Sequence, residues 1–119
     1  MKAPTSARWS VIGTAAALAT VVAGLCAAQP PASRQRGEQV FAYWCAPCHA
    51  PGPKHPGTQA LQALYKGKKP APLEKRTDLV PAVTKAFVRN GVSVMPPFRK
   101  TEISDADLKA LAEYLAPKG

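Results

Sequence analysis

The run Trp44-Cys45-Ala46-Pro47-Cys48-His49 constrains this chain more than any other stretch. Cys45 and Cys48 stand about one helical turn apart, so on a helix both sulfurs face the same way. His49 follows with no residue between. Two thiols at this spacing can each add to a vinyl group of one haem, and the adjacent imidazole then sits under the iron. The expectation is one covalent c-type haem held by Cys45, Cys48 and His49. A Cys-x-x-Cys pair alone would not carry that reading, and the neighbouring His49 is what narrows it.

An imidazole on one face of the iron leaves the other axial position open. Val92-Ser93-Val94-Met95-Pro96-Pro97-Phe98 offers Met95 from a non-helical loop stiffened by two prolines. A methionine between Val and Phe ordinarily fills core, but the other methionine, Met1, falls in a leader. Met95 is therefore the expected sixth ligand, and a His/Met pair raises the reduction potential because the soft sulfur favours ferrous iron. His55 lies too close to His49 along the chain to cross to the opposite face and reads as a loop histidine. Arg99, Lys100 and Tyr65 are candidates for pairing with the haem propionates, although each alone also reads as solvated surface.

Residues 1–28 have the layout of a secretory signal: Lys2 and Arg8 in front, an uncharged run from Trp9 to Ala28, and Cys26-Ala27-Ala28 as a small-residue cleavage site. The rival reading is an uncleaved anchor, since about twenty uncharged residues can span a bilayer; the segment is mostly Ala, Gly and Thr, which makes a weak span. Cleavage near Ala28 removes Cys26 and leaves 91 of the 119 residues. The mature chain then has no cysteine pair for a structural disulfide, although it is exported. So short a chain buries a modest core, which a haem would enlarge. The division expected is 1–28 signal peptide, 29–33 flexible lead and 34–119 a monohaem domain, in the periplasm.

Without the leader, 14 Lys and Arg face 7 acids. That balance fits an acidic docking partner, and equally a solvated basic surface, because the cations are scattered. Nucleic acid is excluded by export, and no membrane is involved unless the leader is retained.

The rest of the chain reads as helices. Ser33 is a plausible N-cap for a helix to about Cys45 whose apolar stripe is Gly37, Val40, Phe41 and Trp44. His49 to Gly57 is rich in Pro and Gly and forms a loop on the His side, where the Pro53 or Pro56 carbonyl is expected to accept the second imidazole N–H. Thr58 is placed to cap a short helix through Leu61, Leu64 and Tyr65 that ends at Gly67. Lys66 to Pro72 is a basic loop. Another helix starts at Pro81, runs through Val83, Ala86 and Phe87, and ends at Asn90-Gly91. The last begins at Ser104 with Asp107 and carries the stripe Leu108, Leu111, Ala112 and Leu115. No segment alternates in the manner of a strand.

Gly37-x-x-x-Phe41 before Cys45-Ala46-Pro47-Cys48-His49, Met95 in a Pro loop, and Glu113-Tyr114-Leu115 near the end resemble the pattern of class I c-type cytochromes. The resemblance covers essentially the whole mature chain. It implies an all-α fold of four to five short helices around one haem, with the first and last helices crossing at Gly37 and Phe41 and Tyr114 packed there. Gly57-Thr58-Gln59-Ala60-Leu61, the run Phe87 to Pro96 and the run Arg99 to Asp105 look like the small cytochrome subunits that accompany flavoprotein oxidases of 4-alkylphenols, of the p-cresol methylhydroxylase and eugenol hydroxylase type. This narrower resemblance implies a periplasmic flavocytochrome, in which a flavin subunit oxidises the phenol and this chain takes its electrons singly and passes them to a downstream acceptor. Val80 departs from the pattern, since a capping Ser or Thr is usual before Pro81.

With both axial positions filled, the chain is expected to transfer electrons and to have no substrate chemistry of its own. One alternative is a free, diffusible shuttle for another dehydrogenase. A remote one is a thiol-disulfide oxidoreductase, because Trp44-Cys45-Ala46-Pro47-Cys48 resembles the thioredoxin-type motif; that chemistry wants the first thiol at a helix N-terminus after a buried strand. Zinc held by Cys45, Cys48, His49 and His55 is weaker, since Cys48 and His49 are sequence neighbours.

Overall fold

A computed structural model describes residues 32–117. Helix α1 (Ala32–Val40) runs without a break into a widened turn over Phe41–Cys45 and then into the short α2 (Ala46–His49). The widening shows in the Ala46 N–H, which bonds to the carbonyl of Phe41, five residues back. Pro47 gives the reason: in a straight helix it would lack a bond and collide with the Tyr43 carbonyl, whereas here it falls in the first turn of α2. The helix thus reaches His49 and does not stop at Cys45. It also begins at Ala32, so Ser33 lies inside it and is not its cap.

The next helix, α3 (Pro56–Tyr65), starts three residues earlier than the sequence suggests, with His55 rather than Thr58 at the N-cap position. Thr58 does not cap it; Thr58 is buried, and its hydroxyl donates to the Ala50 carbonyl at 2.9 Å, tying the loop to the helix. Lys66 closes α3 in the left-handed region (φ 48°), and Gly67 follows. Leu64 is 71% exposed. A single tight turn, Leu73–Lys75, precedes α4 (Pro81–Asn90), which opens on Pro81 with no side-chain cap from Val80. Helix α5 (Asp105–Leu115) opens as expected, with the Ser104 hydroxyl accepting from the Asp107 N–H at 3.1 Å. Among the described residues there is no strand and no helix long and apolar enough to cross a membrane.

The core forms where α1 and α4 meet α5. A Cβ at Gly37 would stand 2.2 Å from the Ala110 carbonyl oxygen and 2.6 Å from Tyr114 Cβ, so only glycine lets the two helices cross at this distance. Phe41 and Tyr114 pack beside the crossing with ring centroids 5.9 Å apart. Val40, Phe41, Leu79, Val88, Ile103, Leu108, Leu111 and Leu115 make up the buried cluster. This is the crossing that the resemblance to class I cytochromes implies. On α4, Thr84 and Val88 are buried, whereas Val83, Ala86 and Phe87 are exposed.

Candidate functional site

Two segments bring the sequence-predicted residues into play. On one, Cys45 ends the widened turn and Cys48 and His49 belong to α2, so the helical spacing of the two sulfurs is kept. Both thiols are free; Cys45 is half-buried against the core and Cys48 is exposed. Burial, and then the neighbouring Cys48, pushes the Cys45 thiol up to about 12. A redox-active thiol needs the opposite shift and a helix N-terminus, so the thiol-disulfide reading loses its chemical basis here. Zinc fares no better: among the described residues no three His, Cys, Asp or Glu side chains group in a way that could hold a metal ion.

The His49 imidazole is pinned. A Cβ at Gly57 would stand 2.7 Å from His49 Cε1, 2.9 Å from Nδ1 and 2.8 Å from the Cys48 carbonyl oxygen, so the ring lies directly on the start of α3. Burial lowers its pKa and favours the neutral ring, the form that ligates iron. The carbonyl expected from Pro53 or Pro56 is not there: His49 Nδ1 is buried with no partner. The Gln59 side-chain amide donates to the Pro53 carbonyl instead, and Pro56 is the first residue of α3, where its carbonyl serves the helical ladder. His55 stays on the loop, its Nδ1 3.1 Å from the Pro47 carbonyl oxygen.

On the other segment, Met95 sits in a tight two-residue reversal. The Val92 N–H donates to the Met95 carbonyl at 3.0 Å and the Met95 N–H to the Val92 carbonyl at 2.9 Å, with Ser93 in the left-handed region. Gly91 makes the reversal possible: its φ is +69°, and a Cβ would lie 2.7 Å from the Met95 carbonyl oxygen. Met95 itself is half-buried and packs on the core, as do Trp44 and Phe98, whose rings meet edge to face at 5.8 Å. The Phe98 N–H is anchored to the Val88 carbonyl at 2.8 Å.

Arg89 holds this segment and was missed by sequence reasoning. Its guanidinium donates to the carbonyls of Phe98 (3.0 Å) and Ile103 (2.9 Å) and to Asp105 (2.9 Å). A basic residue in the last turn of a helix was the available signal. Of the three residues considered for propionates, two already have side-chain partners within the chain. Lys100 pairs with Asp105 at 2.8 Å, and the Tyr65 hydroxyl lies 2.6 Å from Arg76, whose guanidinium also stacks on the ring. The Arg99 side chain is exposed.

Val80, Val83 and Phe87 form an exposed apolar flank on α4, with Phe87 46% exposed.

A family model described as cytochrome c oxidase, cbb3-type, subunit III matches residues 32–115. The chain belongs to that family. It is a c-type cytochrome with an all-α fold, a haem-binding electron carrier rather than an enzyme. No curated protein matches the chain at a significant level. The residues present fit a haem: a pinned neutral imidazole, an orphaned buried nitrogen on that ring, a thioether on a rigid reversal, two free thiols and an uncovered apolar flank.

Proposed function

We propose that Cys45 and Cys48 hold one haem through two thioether bonds, with His49 and Met95 as its axial ligands, and that the chain relays single electrons outside the cytoplasm. The observation that carries this reading is the imidazole of His49, neutral by burial and locked by the Gly57 backbone next to two free thiols. A haem held by these residues would supply reversible one-electron exchange between ferric and ferrous states, at a potential raised by imidazole and thioether ligation. The chain's own residues do the rest. The widened turn carries Cys45 on the same continuous helix as Cys48 and His49, Gly91 and Arg89 hold the Met95 segment against the core, and α4 turns apolar side chains outward.

The donor we propose is a flavoprotein dehydrogenase subunit that oxidises 4-alkylphenols, supported by the likeness of Phe87–Asp105 to the cytochrome subunits of such flavocytochromes. The signal expected at 1–28, from which we infer a periplasmic location, and the lead from 29 lie outside the described residues except for Ala32 and Ser33 at the start of α1. A second reading is favoured by the family match, whose description names a terminal oxidase: the chain would then feed or accompany an oxygen-reducing complex. Gentle purification from the native source, followed by size-exclusion chromatography with flavin and haem spectra across the peak, separates the two. A peak with both chromophores whose haem is reduced by a 4-alkylphenol supports the flavocytochrome. Co-elution with oxygen-reducing activity supports the oxidase, and a small haem-only peak unresponsive to the phenol identifies a free shuttle.

A further inference from the structure

Met95 is carried by a segment that packing alone hardly holds. From Val92 to Lys100 every residue except Met95 and Phe98 is exposed. Pro96 and Pro97 link those two. They have no N–H to donate and a fixed φ, so the link anchors nothing itself but passes a displacement of Phe98 on to Met95 with little slack. The anchors therefore lie at its ends. Upstream, Val92 and Met95 bond to each other through both their backbone N–H groups. Downstream, Phe98 is held on both sides by the last turn of α4: its N–H donates to the Val88 carbonyl at 2.8 Å, and its carbonyl accepts from Arg89 Nη1 at 3.0 Å.

The same guanidinium reaches further. Arg89 Nη2 donates to the Ile103 carbonyl and to Asp105 Oδ1, both at 2.9 Å, so it closes the turn from Phe98 to Ile103 and ties it to the start of α5. Ile103 is fully buried, which makes it a fixed point against which Phe98 is held. Asp105 is itself steadied by Lys100, whose Nζ lies 2.8 Å from Oδ2. Only the planar fork of an arginine lets one side chain serve acceptors in several directions; the single ammonium of a lysine has no equivalent.

We infer that Arg89 is a positioning residue for the sixth ligand: by fixing Phe98 it keeps the Met95 thioether in place, and so keeps that coordination position shut against small ligands from solvent. This rests on the haem site proposed above and names the side chain on which its closure depends. The link is one of populations. A solvent ligand can enter only when Met95 has moved off, so its apparent affinity is scaled by the fraction of molecules in that open state. Loss of the clamp raises the fraction.

The test titrates ferric holoprotein with imidazole and follows the sulfur-to-ferric-iron charge-transfer band. In Arg89→Gln, which removes both the fork and the charge, imidazole affinity should rise by about tenfold, roughly what one hydrogen bond from a charged donor is worth. Arg89→Lys keeps a charge beside Asp105 without the fork and should show a rise in the same direction; it carries the test should Arg89→Gln fail to fold. Gly37→Ala is the control, since its methyl meets Ala110 and Tyr114, away from the Met95 segment. Its imidazole affinity should match that of the unmutated protein even though its Tm is lower. Unchanged affinity in the Arg89 variants overturns the inference. An equal rise in Gly37→Ala overturns it too, by making the opening a matter of general stability. Absence of the band from the unmutated holoprotein would instead defeat the Met95 assignment, and this inference with it.

Discussion

The α1–α5 crossing and the outward side of α4 are built from the same kinds of residue and end in opposite states. At the crossing the chain completes itself. Gly37 admits the backbone of α5, Ile103 and Leu111 are fully buried, and Arg36 forks onto Asp107 at 2.6 and 2.9 Å. Arg34 donates to the Tyr114 carbonyl at 3.2 Å, and the Tyr114 hydroxyl donates to Glu74. Away from the crossing, His49 Nδ1 and Thr84 Oγ1 are orphans, and Val80, Val83 and Phe87 face outward. The difference teaches that a short chain can settle one half of its core by helix packing while leaving the other half to a group it binds.

The largest expected effect comes from removing that group. Cys45→Ser combined with Cys48→Ser should abolish the haem-stained band that survives denaturing electrophoresis and leave little folded protein, because so short a chain buries only a modest core without the haem. A holoprotein of normal yield and Tm would show that both halves are self-sufficient and erase the contrast.

Next is Gly37→Ala, which acts on the other half. Its methyl would collide with backbone that cannot move aside, and overpacking of this kind costs up to about 3 kcal/mol. Thermal unfolding should show a lower Tm while the visible spectrum at low temperature is unchanged. A shifted spectrum would mean that the halves are coupled more tightly than their packing indicates.

Met95→Ala should do the reverse. The sulfur-to-ferric-iron charge-transfer band should disappear, and the Tm should fall by less than in Gly37→Ala. Persistence of the band would remove Met95 from the ligand set.

The smallest effect concerns charge at the crossing. Asp107 is held below the ordinary carboxylate range, first by the hydrogen bond from Arg36 and then, against the opposing effect of burial, by its charge. A depressed folded-state pKa contributes stability that is present above the unfolded value of about 4. That contribution is lost as pH falls through the folded value. The Tm of Arg36→Gln should therefore differ slightly from that of the unmutated protein near pH 7 and converge with it under acid conditions. A difference that persists in acid would mean that Arg36 acts through packing rather than charge.

Much of this was legible in sequence. The stripe of α5 and its Ser104 cap, Pro81 opening α4, and Gly37 beneath Phe41 are local patterns with one physical meaning each. The widened turn was not legible, since Pro47 signals a break or an accommodation and only the continuous packing of α1 on α5 favours the second. Nor was the start of α3. Thr58 is a good cap by type, but its hydroxyl is worth more tying Ala50 down in a buried position, so Pro56 opens the helix. The Arg89 clamp joins carbonyls 9 and 14 residues away, and no local rule reaches so far.

The sequence alone determined the chemistry on offer: two thiols a turn apart, an imidazole beside them, and a thioether in a proline-stiffened segment. These are covalent facts of side-chain type and order, and helical geometry is general enough to carry them into space. Only the tertiary structure decided that His49 is neutral and lies on Gly57, that Arg89 pins the Met95 segment, and that Thr84 is buried at the edge of an apolar flank. Burial and hydrogen-bond partnership depend on what arrives from distant parts of the chain, and those approaches exist only once α1, α4 and α5 have packed.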